Sequence, residues 1–94
     1  MNFTYYNVDF RRYSDGKFAY VTGEVTNETL KDYNTAVFRM VLFDMGNRVI
    51  WSGSFKIRGL GKKRTKSFEV PLEGVDFTVI PKISRHDIYF EAGY

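Results

Sequence analysis

Val21-Thr22-Gly23-Glu24-Val25-Thr26-Asn27 and Ala36-Val37-Phe38-Arg39-Met40-Val41-Leu42-Phe43-Asp44 carry apolar residues at every second position. The alternation returns from Val49 to Ile57 and from Lys66 to Leu72, and turn residues close each run. A period of two places alternate side chains on one face, so each run reads as a strand with one buried side. Ala36, Phe38, Met40 and Leu42 share a side, and Arg39 marks the other as exposed. Val49, Trp51, Phe55 and Ile57 oppose Ser52, Ser54 and Lys56, while Phe68, Val70 and Leu72 form a third apolar row. Ile88, Phe90 and Ala92 form a fourth.

Working outward, the pattern predicts about seven strands, near residues 4–12, 17–26, 35–44, 48–57, 63–72, 76–80 and 86–93. Ser14-Asp15-Gly16 and Asp44-Met45-Gly46-Asn47 supply hairpin turns, and Gly59-Leu60-Gly61 breaks the chain before the next strand. Asn27 to Asn34 is a longer polar connection that crosses between sheets. No segment shows a helical stripe. An oligonucleotide-binding barrel would carry a helix between its third and fourth strands, so an antiparallel β-sandwich is the better fit. Trp51, in mid-strand, takes the centre of the core, and Trp51→Ala is expected to cost about 3–5 kcal/mol.

The 94 residues make one domain, 1–94. Without cysteine there is no disulfide and no thiolate metal site, so packing must supply the stability. Nine Phe, seven Tyr and one Trp answer that need. Each large apolar side chain contributes roughly 1.5–3 kcal/mol when fully buried. The formal charge of +3 comes from local crowding of Lys and Arg. No apolar run approaches the ~20 residues of a membrane span, and no basic-then-apolar leader opens the chain.

The order Val21 to Asn27, then Met40-Val41-Leu42-Phe43-Asp44 with Gly46, resembles the FxLYD domain family. Val49, Gly59-Leu60 and Phe68-Glu69-Val70 continue the likeness over roughly residues 18–72. Met40 replaces the first aromatic of the motif, Phe43 its tyrosine, and Gly61-Lys62 its Pro-Gly turn. The resemblance implies an immunoglobulin-like sandwich, found mostly in prokaryotic envelope and membrane-associated proteins, with no catalytic residues. It also implies structural roles. Gly23 is the position of close strand approach, Asn27 ties down the following loop, and Asp44 closes the hairpin with Gly46.

Candidate sites are few. Lys56, Arg58, Lys62, Lys63, Arg64 and Lys66 fall within one short stretch and could meet phosphates of nucleic acid or lipid headgroups. The alternative is a solvated turn whose charges keep strand edges apart. Arg64 and Lys66 are in phase with Phe68 and must snorkel out at the rim. Tyr5, Tyr13, Tyr33, Tyr89 and Tyr94 lie outside the apolar rows and could form an interaction face, or simply reflect the strand propensity of tyrosine. Asp44, Asn47, Glu73 and Asp76 offer oxygens in two loops, but the spacing of a calcium loop is missing. His86 is the one histidine, and no nucleophile elbow or phosphate-cradling glycine loop is present. Asn2-Phe3-Thr4 and Asn27-Glu28-Thr29 fit the N-glycosylation acceptor pattern.

These residues predict a non-enzymatic module without cofactor or metal, monomeric, with a protein partner or a spacer role; the resemblance implies that it belongs to a cell-envelope protein. The alternative is an anion- or nucleic-acid-binding domain acting through Lys56–Lys66.

Overall fold

Residues 2–14, 16 and 18–94 are described by the computed structural model. Six strands form two antiparallel sheets: β1 (Phe3–Arg12), β2 (Phe18–Asn27), β3 (Tyr33–Phe43), β4 (Val49–Leu60), β5 (Thr65–Asp76) and β6 (Arg85–Gly93). One sheet has the order β1-β2-β5 and the other β4-β3-β6. The chain passes between sheets at residues 28–32, 61–64 and 77–84. The predicted all-β sandwich is what forms.

The alternation decides burial most sharply on the two central strands. Ala19, Val21 and Val25 of β2 and Ala36, Phe38, Met40 and Leu42 of β3 are wholly inaccessible. Strands paired on both sides have no flank open to water, whereas edge strands do. β4 accordingly grades from exposed Val49 through half-buried Trp51 and Phe55 to buried Ile57 and Leu60. The centre of the core is therefore Phe38 and not Trp51, a correction with a simple cause: Trp51 lies on an edge strand. The Phe38 ring meets Phe3, Tyr5, Phe55 and Phe90, with centroids 5.2, 6.1, 5.6 and 5.8 Å away.

Three other expectations change. The separate strand at 76–80 does not exist. β5 continues to Asp76, whose carboxylate accepts the Thr78 amide at 3.0 Å and starts a 3-10 helix over Phe77–Lys82. Pro81 lies inside this helix, where it has no amide to donate, and the helix ends one residue later. Gly59-Leu60-Gly61 does not break β4. Gly59 takes φ +66°, which leaves the strand paired as far as fully buried Leu60. Finally, Ala92 is exposed, because a bulge after Phe90 shifts the phase of β6. Asp15 of the predicted first turn lies outside the described residues; β1 and β2 are joined there by Tyr13 N–H donating to Phe18 C=O at 3.2 Å.

Tyr5 points inward, edge-on to Phe38, and burial pushes its phenol up to about 12. The neutral phenol is the form the fold favours. That stability is whole below the ordinary tyrosine value of about 10 and is lost as pH rises from there towards 12. Urea titrations across pH 8–12 should show a decline that Tyr5→Phe makes shallower; an unchanged slope in the variant places Tyr5 in water.

Candidate functional site

Two chain crossings meet at one end of the sandwich. Residues 28–32 lead from β2 to β3, and 61–64 lead from β4 to β5. Asn27, wholly buried, holds them together. Its Nδ2 donates to the Lys31 carbonyl at 2.8 Å and the Leu60 carbonyl at 3.2 Å. Its Oδ1 accepts from the Thr29 amide at 2.9 Å and the Thr29 hydroxyl at 2.6 Å. Its backbone N–H donates to Arg64 C=O, and Lys63 N–H donates back to Asn27 C=O at 2.7 Å. Lys62 N–H donates to Asp32 Oδ1 at 2.8 Å, and Lys63 Nζ to the Glu28 carbonyl at 3.0 Å. The two loops form one hydrogen-bonded platform. Because the Asn27 carboxamide is fully engaged inside the protein, the Asn27-Glu28-Thr29 acceptor pattern is inaccessible in the fold.

The six predicted basic residues do not share one face. Lys62, Lys63 and Arg64 lie in the turn of this platform. Lys56 and Arg58 stand on the outer surface of β4, out of phase with Ile57. Lys66 escapes the core at the start of β5, its Nζ 3.7 Å from where a Cβ on Gly59 would sit. All six are exposed, and among the described residues none pairs with a carboxylate. Lys31, which sequence reasoning left out, joins Lys62 and Lys63 across the platform. Its signal was the Asn27 carboxamide: a buried amide at the end of a strand must reach two segments to satisfy itself.

A second feature lies along the seam where the edges of β4 and β5 face each other. Trp51, Gly53, Phe55, Glu69, Pro71 and Glu73 line an open groove of about 370 Å³. Gly53 shapes it: a Cβ there would stand 2.5 Å from Trp51 Cη2, so only glycine lets the indole lie back across the strand. One side of the ring faces the core and the other the groove. Gly23 makes a similar allowance inside, its missing Cβ leaving room for the Phe68 ring at 2.6 Å.

The remaining candidates disperse. Tyr5 and Tyr33 pack against the core, Tyr13 stacks on Tyr20 at 4.4 Å, and only Tyr89 and Tyr94 stand largely in water. Desolvation first, then Glu69 and Tyr20, raise the Tyr13 phenol. Asp44 Oδ1 is occupied by the Gly46 and Arg48 amides at 2.8 and 3.0 Å, closing the hairpin. Among the described residues no group of three acidic, His or Cys side chains could hold a metal. His86 is exposed on β6 with Phe10 edge-on at 6.0 Å. Unanticipated is a polar network on the outer face of β4-β3-β6. Arg39 donates to Glu91 at 3.1 Å and to Ser52 at 3.0 Å, and Ser54 donates to Glu91 at 2.7 Å. Ser54 first and then Arg39 lower the Glu91 carboxyl. No helix among the described residues is long and apolar enough to cross a membrane.

No family model and no curated protein matches the chain. Among solved structures, the fold is similar to the crystal structure, at 1.81 Å resolution, of a DUF1425 family member from Shewanella sp. pv-4. The TM-score is 0.53 at 13% identity, covering 96% of this chain and 77% of that one. The likeness is one of fold, to a domain of unknown function whose name assigns no reaction.

Proposed function

We propose that this chain is a non-catalytic, immunoglobulin-like module, akin to FxLYD domains, acting as a protein-interaction or spacer domain of a cell-envelope protein. The observation that carries the reading is the Trp51 groove. It offers a half-buried indole, a phenyl ring and two carboxylates between two free strand edges. Aromatic residues seated in a partly desolvated groove are the usual anchors of protein interfaces. The contacts of Asn27 and Asp44 support the family likeness, since each does the work that the resemblance implies, whereas Gly23 makes room for the Phe68 ring and not for a closer strand.

A photocrosslinking residue placed at Glu69, in the groove, and at Asp9, on the far edge strand, tests this in cells expressing the parent protein. An adduct with one defined protein at position 69 and none at 9 is the expected result. Equal labelling at both positions, or none at 69, removes the interaction reading and leaves the spacer. A parent protein recovered only from the cytosolic fraction contradicts the envelope placement.

A second reading, anion binding through Lys56–Lys66, is favoured by one observation: these cations have no carboxylate partners among the described residues. Around four phosphate contacts would give duplex DNA a slope of about −3.6 in log K against log salt. Binding indifferent to salt contradicts it.

A further inference from the structure

We infer that the platform end of the sandwich docks on an anionic lipid bilayer, with Leu30 entering the interface and Lys31, Lys62, Lys63 and Arg64 meeting headgroup phosphates. The inference rests on the anion-binding reading and goes beyond it by naming the partner. Leu30 is 85% exposed at the apex of the 28–32 loop. A lone exposed leucine is ordinary on a protein surface. This one is flanked by Lys31 in its own loop and by Lys62, Lys63 and Arg64 in the loop hydrogen-bonded to it.

The two carboxylates of these loops, Asp32 and Glu28, are outnumbered by the four cations and, among the described residues, pair with none of them. Asp32 accepts the Lys62 amide, and Glu28 accepts the Thr4 hydroxyl at 3.4 Å. The Lys62, Lys63 and Arg64 amides are spent on Asp32, Asn27 and Gly61, so the ligand is met by side chains, not by a backbone nest. Long cationic side chains around an apolar tip suit a surface with phosphates outside and hydrocarbon beneath. Nucleic acid would instead call for aromatic rings on which bases stack. On this platform the exposed apolar side chain between the lysines is aliphatic. The hydrogen bonds through Asn27 fix the two loops on folding, so little ordering remains to oppose docking.

Cosedimentation of the full chain with vesicles tests the inference. Vesicles of phosphatidylcholine alone and of equimolar phosphatidylcholine and phosphatidylglycerol are compared, beside a titration with a short DNA duplex. Binding is expected to the anionic vesicles only and to weaken with salt. Replacing Lys62 or Arg64 by Gln should weaken it about fivefold per cation. Leu30→Ser should weaken it about tenfold. Met45→Ser, a change at the equally exposed tip of the opposite end, should leave it unchanged. All four positions are exposed, so folding is not at issue. Anionic-vesicle binding that ignores Leu30, or is matched by the duplex, overturns the bilayer and leaves the anion reading standing. Binding to neither vesicles nor duplex overturns both.

Discussion

Phe38→Ala lowers stability by about 3–5 kcal/mol, the range for emptying a large aromatic site in a core that cannot fully collapse. For a chain of this size the melting midpoint should fall by on the order of 20 °C. The residue is wholly inaccessible, on a central strand, and its ring touches aromatics from β1, β4 and β6. Removing it takes from Phe3 and Tyr5 of the facing sheet the ring they meet edge-on. Trp51→Ala should cost clearly less, because half of the indole already faces the groove and its loss opens the seam without hollowing the centre. Urea denaturation of both variants checks the order. Equal costs, or a larger one for Trp51, would mean that the core is centred on β4.

Asn27 carries the second large effect. Asn27→Ala leaves the Lys31 and Leu60 carbonyls and the Thr29 amide without their partner. Each buried polar group left unpaired costs about 1–3 kcal/mol, so a total of about 3 kcal/mol is expected once the loops relax. Asn27→Asp is the sharper probe. It keeps the acceptor for Thr29 but turns an oxygen, in place of the Nδ2 donor, towards two carbonyls. The buried carboxyl then favours its neutral form, and its folded-state pKa rises above the ordinary aspartate value near 3.9. Stability is therefore nearest to that of the parent at low pH and is lost as pH rises through the shifted value. A variant that instead gains stability with pH would show that Nδ2 is not a donor here. Since Asn27 also joins the two crossing loops, anionic-vesicle binding should weaken in Asn27→Ala even under conditions where the variant is folded.

What the sequence reveals about the fold is concentrated on the central strands. There, alternation from Val21 to Asn27 and from Ala36 to Met40 translates directly into burial, because neighbours on both sides leave one face for water and one for the core; Val41, on the outer face, is buried as well. At edges the same alternation is blunter. Val49 and Ala92 alternate in sequence with buried residues yet are exposed, because each lies beyond a bulge that shifts the phase of its strand. The tryptophan drew the centre towards itself because a large ring in mid-strand reads as core. What that reading lacked was Gly53, two residues on, which lets the ring fold back on its own edge strand. The segment 73–85 resisted for a different reason. A strand that runs into a 3-10 turn has neither period for long enough to show.

The candidate site was legible as composition and illegible as geometry. The lysines and arginines of 56–66 stand out as a charge run, but a strand, a turn and a second strand distribute them over different surfaces. Only the Lys62–Arg64 turn ends up beside Lys31 and Leu30, residues some thirty positions earlier in the chain. No local rule joins them; the Asn27 carboxamide does, and it is visible in the sequence only as a turn residue. The Arg39–Glu91–Ser54 network was hidden for the same reason, since its partners meet across three strands.

The central claim is that two three-stranded sheets close around Phe38. A NOESY spectrum of the protein tests it most directly. Phe38 ring protons should show cross-peaks to the rings of Phe3 and Tyr5, which belong to the facing sheet and meet Phe38 only if the two sheets stack as described. A Phe38 ring with cross-peaks only to Phe55 and Phe90, its neighbours within the same sheet, would contradict the account.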